Sequence, residues 1–138
     1  VSPDVEAQAG PQAVARADVG CEAWRDAARM QVWATPRHAD FYDYAGHLSR
    51  TLRAMDDLAV VLARQVEAYP TGRRVFDDSR SVDPIVRLGM ALECLHRLRS
   101  ALLTADRETN SFWSAIGHIG VDPDPQDQDA SEVTDPGW

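Results

Sequence analysis

Lysine is absent from this chain of 138 residues; all fourteen basic side chains are arginine. Uniform arginine usage reads most simply as the coding bias of a GC-rich genome, and it assigns no activity. Cysteine is scarce. Cys21 and Cys94 are too few and too far apart for a zinc motif, and they read as two unbridged thiols in a reducing compartment. No run of 18 apolar residues occurs, so no membrane span is expected and the expected location is cytoplasmic. The opening Val1-Ser2-Pro3-Asp4 has neither the basic stretch nor the apolar run of a secretory signal, and none is expected there. No stretch alternates polar and apolar residues long enough to build a sheet. There is no glycine-rich phosphate loop and no Cys–His pair of known catalytic spacing.

An excess of basic charge is missing as well. The net charge is −8, unevenly distributed. Residues 1–35 carry five acids and three arginines; residues 36–120 carry eleven of each; residues 121–138 carry six acids and no base. The part expected to fold is therefore nearly neutral and offers no basic footprint for nucleic acid. The length suits one domain with a modest core.

What is present is a heptad pattern. Phe41, Ala45, Leu48, Leu52, Met55, Ala59, Leu62, Val66 and Tyr69 recur at spacings of four and three without a slip. That predicts a long helix with an apolar seam over 36–69, begun by Thr35-Pro36 and stopped by Pro70 and Gly72. Asp83-Pro84 repeats the cap-then-proline signal, and a second long helix is expected over 84–119, with Gly120 as its stop. An Ala-rich helix is expected over 12–34, after a tail of residues 1–11 that ends at Gly10-Pro11. The acidic, Pro-containing residues 121–138 are expected to be a disordered tail.

Two helices of nearly equal length joined by a loop pack most economically as an antiparallel hairpin. The expected fold class is all-α: a long hairpin with an N-terminal third helix, closed as a three-helix bundle or as a dimeric helical bundle. Ala45 and Ala59 fall on the seam, where small side chains let two backbones approach. One flank carries Tyr44 and Leu58 with Ala91, Leu98, Ala105 and Phe112, and must be covered. The other carries Ser49, Asp56, His96 and Asn110, and can face water. Folding the N-terminal helix back would place Trp24 beside Gly46, and Trp33 in an aromatic cluster with Phe41, Phe112, Trp113 and Ile116. Cys21 and Cys94 come out roughly 15 Å apart along the axis, beyond disulfide reach.

No family resemblance is drawn; the nearest shape is the small helical hairpin of the WXG100 type. The turn here reads Pro70-Thr71-Gly72-Arg73-Arg74 without that family's Trp-x-Gly, and no function is carried over.

Several constellations invite a chemical reading. Glu93-x-x-His96 has the spacing of di-iron bundles, but a metal site needs a second such motif and inward carboxylates. An Asp56–His96 contact is expected instead. Asp40, Asp43 and His47 read as a solvated face, and Ser114 with His118 lacks a third group. No catalytic, cofactor or metal residues are assigned, and no small-molecule substrate is inferred. Arg73, Arg74 and Arg80 make a basic loop interrupted by Asp77 and Asp78; Val75 and Phe76 are expected to fold back onto the hairpin.

The sequence thus points to a non-enzymatic helical interaction or oligomerisation module, an accessory subunit of a larger assembly or a homodimer. The partner surface is placed at Val60, Val61, Met90 and Cys94, left without cover in the chain. The alternative is a small regulator touching nucleic acid through the loop from Arg73 to Arg80.

Overall fold

The computed structural model describes residues 2–122, so the acidic segment from 123 to 138 lies outside the described residues. Three helices are present: α1 (Pro3–Gln31), α2 (His38–Ala68) and α3 (Pro84–Gly117). No strand occurs among the described residues, and the class is all-α. The chain divides into two units, residues up to Arg37 and residues from His38 onward.

In the first unit, α1 starts at Pro3, not at Gln12. Ser2 occupies the N-cap with extended backbone, and its carbonyl accepts from the N–H groups of Val5 and Glu6 at 3.0 and 3.2 Å. Pro3 supplies the preset φ of a first helical residue, and Asp4 and Glu6 complement the positive end of the helix dipole. Gly10 is a weak helix former and Pro11 donates no hydrogen bond, which is why the sequence places the start after them. The helix nevertheless runs through both. Arg25–Glu22 and Arg29–Asp26 pairs, one turn apart, line its surface. No α1 residue is buried, and Trp33 just beyond it is 89% exposed.

In the second unit α2 and α3 pack against each other as the expected antiparallel hairpin. Helix α2 begins at His38, two residues past Thr35-Pro36, within the usual latitude of a helix end. Helix α3 has Asp83 at its N-cap, whose side chain accepts from the Ile85 N–H at 2.9 Å, and Pro84 at its first position. It ends at Gly117, before the expected Gly120. A Cβ at Gly117 would lie 3.0 Å from the Tyr42 hydroxyl, so the missing side chain lets that ring close over the end of α3.

The seam is thin. Ala45 and Ala59, each 2% exposed, sit with Ala63 and Leu102 as the buried apolar residues of the described chain. Small residues at the contact bring the two backbones close, as their seam positions require. Pairing across the seam fixes the register. Phe41 meets Phe112 edge-on at 6.5 Å, and Tyr42 meets Trp113 at 6.3 Å. Further along, the Ser49 hydroxyl donates to Asp106 at 2.6 Å, and Arg99 donates to Asp56 at 2.9 and 3.4 Å.

Candidate partner-binding face

The polar contacts of Ser49, Arg53 and Asp56 with α3 lie on one side of the seam. Ser49, Arg53 and Asp56 on α2 meet Arg99 and Asp106 on α3, with Arg53 reaching Asp106 at 3.5 Å. This corrects one expectation: Asp56 pairs with Arg99 and not with His96. The guanidinium offers two coplanar donors where an imidazole offers one, and the two donors match the carboxylate fork. The hydrogen bond from Arg99 to Asp56 raises the arginine's pKa above its ordinary value.

The opposite side is apolar. At one to four residues from the seam alanines, α2 carries Tyr44, Leu48, Met55, Leu58 and Leu62. On the same side, by helical periodicity from Leu102, α3 carries Ala91, Cys94, Leu98, Ala101, Ala105 and Phe112. None of these side chains is an acid, an arginine or a histidine. Leu48 is 39% exposed, Leu58 49%, Met55 51% and Leu98 47%. Thr51, at the border, turns its hydroxyl back onto the His47 carbonyl at 2.8 Å. The result is a continuous half-exposed face spanning both helices.

The four residues assigned from sequence do not share one surface. Cys94, four residues before Leu98, belongs to the apolar face, and Met90 lies at its edge. Val60, four residues after Asp56, is half-buried on the charged side. Val61, 47% exposed, follows Asp57 by four and points away from α3. By helical spacing, Val60 and Val61 therefore lie apart from Met90 and Cys94. The run Leu58-Ala59-Val60-Val61-Leu62-Ala63 is apolar all round the helix and gives no direction, and only the seam alanines and the Asp56–Arg99 pair orient it. Leu58 and Leu62 are the members of that run on the apolar face.

The loop between the helices is organised around Asp77, which the sequence presents only as an acid among arginines. It is 8% exposed. It accepts from the Ser79 hydroxyl, from the Ser81 and Val82 N–H groups at 3.2 and 3.4 Å, and from Arg87 Nε at 2.9 Å. The Ser79 hydroxyl leads in holding its pKa down to about 2, with Arg87 and the two N–H groups helping against burial. The pattern Asp77-x-Ser79-x-Ser81, closed by the left-handed Arg80 at φ 54°, was the available signal. Val75 is half-buried as expected, but Phe76 is 69% exposed, with the Arg80 guanidinium 5.5 Å from its ring centroid. Arg73 lies over Tyr69 in the same way, at 4.7 Å. A shallow cleft of about 480 Å³ opens beside them, lined by Tyr69, Val75, Asp77 and Leu88 among others.

Among the described residues no group of three His, Cys, Asp or Glu side chains gathers as a metal site, and Glu93 faces out toward Arg97 at 3.9 Å. His47 accepts from Arg50 at 2.6 Å if Nδ1 is its unprotonated nitrogen. His118 is the C-cap of α3. Cys21 and Cys94 are exposed and unbridged. No described helix is long and apolar enough to cross a membrane. Comparison with family models, with curated proteins and with solved structures finds no match for this chain.

Proposed function

We propose that this chain is a non-enzymatic helical interaction module, and that its working surface is the apolar face of the α2–α3 hairpin. The observation that carries the reading is an imbalance. Among the described residues four apolar ones are buried, while a longer row from Tyr44 to Leu62, with Cys94, Leu98 and Phe112, stays half-exposed. Helical stability in proteins comes mostly from packing an amphipathic face. A hairpin this thin gains by packing that row against another helical surface. Exposed apolar faces of this extent mark interaction sites. Two exposed thiols suit a reducing compartment, and the proposed location is the cytoplasm.

The double variant Leu58→Glu/Leu98→Glu tests the reading. It should keep the parent's far-UV circular dichroism and lose whatever association the parent shows, with itself or with a protein retained from the native host. Unchanged association in a folded variant would refute it. The nucleic-acid alternative is less favoured, because Arg73 and Arg80 stack on Tyr69 and Phe76 and Arg87 is engaged by Asp77. Salt-dependent retention on heparin, abolished by Arg73→Ala/Arg80→Ala, would reverse that ranking.

A further inference from the structure

Resting on that reading, we infer that the occupant of the apolar face is a second copy of this chain. The two hairpins pack with their loops at the same end, so that α2 of each lies over α3 of the other.

The first argument is area. From Tyr44 to Tyr69 the face is about 38 Å long at 1.5 Å per residue. Two helices side by side are about 20 Å across, so each copy offers about 750 Å². Two copies would bury about 1,500 Å², inside the range of specific stable interfaces. The chain's other helix is a poorer occupant: α1 offers Val14, Ala17, Cys21, Trp24 and Ala28, a stripe in which Trp24 is the one large residue.

The second argument is side-chain size. The α2 half of the face is built of large residues, Leu48, Met55, Leu58 and Leu62. The α3 half is mostly small, with Ala91, Cys94, Ala101 and Ala105 around Leu98. The register set by Phe41–Phe112 puts Leu62 level with Ala91 and Leu48 level with Ala105. A two-fold axis parallel to the helices lays each α2 over the partner's α3. Large residues then meet small ones at the same levels, and every neighbouring pair of helices is antiparallel, as in an up-down-up-down bundle. The competing two-fold, perpendicular to the helices, stacks large on large and small on small, which overfills one half and leaves voids in the other.

The third argument is charge. Residues 36–120 carry eleven acids and eleven arginines, so two hairpins meet without net repulsion. The apolar residues named on the face are uncharged; Arg97, 3.2 Å from the Cys94 sulfur, borders it and can keep its guanidinium at the rim, and Arg87, four residues before Ala91, is already paired with Asp77.

The test uses the full chain. Sedimentation across a concentration series gives the mass. A Thr71→Cys label, in a Cys21→Ser/Cys94→Ala background that retains the parent's mass, reports the loop-to-loop distance by double electron–electron resonance. The expected result is a species of twice 15.2 kDa, with one short loop-to-loop distance. Leu58→Glu should raise the dissociation constant on the order of 100-fold or more, since two symmetry-related carboxylates would be buried. A dimer with its labels at opposite ends would overturn the proposed pairing. A strict monomer would overturn the second copy as occupant, and the melt of Leu58→Glu then separates two cases. An unchanged melt leaves the face open to a different protein, so the module reading stands. A large loss of stability means the face is packed within its own chain, and both readings fail.

Discussion

Leu102 is the one large side chain among the buried apolar residues, and Leu102→Ala probes the hairpin core directly. Truncating a buried leucine to alanine costs about 2.7–5.0 kcal/mol, the upper values belonging to sites that cannot collapse or fill. Leu102 borders a cleft of about 310 Å³, shared with Leu52, Leu103 and Asp106 and open to solvent. Water can enter where the side chain was, so the cavity contribution is small and about 2–3 kcal/mol is expected. In a domain of this size each kcal/mol moves the melting temperature by about 4–8 °C, giving a fall of about 10–20 °C. The assay is a thermal melt followed by far-UV circular dichroism, with parent and variant at one protein concentration, since association would make the melting temperature depend on it. A shift under about 3 °C would mean that Leu102 contributes well under 1 kcal/mol and that the seam is not where the hairpin is held.

Ala59→Leu should lower stability by about 1–3 kcal/mol, read from the same melt, because the seam has no room for a larger side chain. Trp113→Ala should cost about 2 kcal/mol, about half of what a fully buried aromatic ring gives, since Trp113 is 53% exposed. Asp77 has its pKa lowered from 3.8 to about 2, so the fold binds that proton more weakly than the unfolded chain does. Its contribution is therefore complete above about pH 4 and is lost as pH falls through about 2. Asp77→Asn should destabilise the chain at neutral pH and flatten the acid limb of a pH–stability profile between those values; an unaltered acid limb would assign it to other carboxylates.

The hairpin was legible in the sequence because its signals agree. The heptads, the proline before each long helix and Asp83 at the α3 cap all specify the same pair of elements. The two flanks were legible too, since polar and apolar residues segregate across Ala45 and Ala59. Four features were not. The start of α1 is hidden because Gly10-Pro11 is a strong local stop, overridden by the Ser2-Pro3 start and by good helix formers on both sides. The pairing partner of Asp56 depends on which side chain on α3 can reach it, and spacing alone could not choose Arg99 over His96. The position of Val60 and Val61 depends on the rotation of α2 about its axis, which a run apolar on every side leaves undefined. The buried Asp77 shows how a loop acid gains its role from backbone N–H groups that composition does not reveal.

The most direct measurement of the central claim compares the two thiols. Cys94 lies on the apolar face beside Leu98, and Cys21 lies on α1, both exposed in the single chain. Alkylation rates of both, followed by mass spectrometry while protein concentration is raised, report whether the face becomes covered. The expected result is a progressive slowing at Cys94 with no change at Cys21, relieved by Leu58→Glu. A rate at Cys94 that stays constant at every concentration would contradict a second copy on this face.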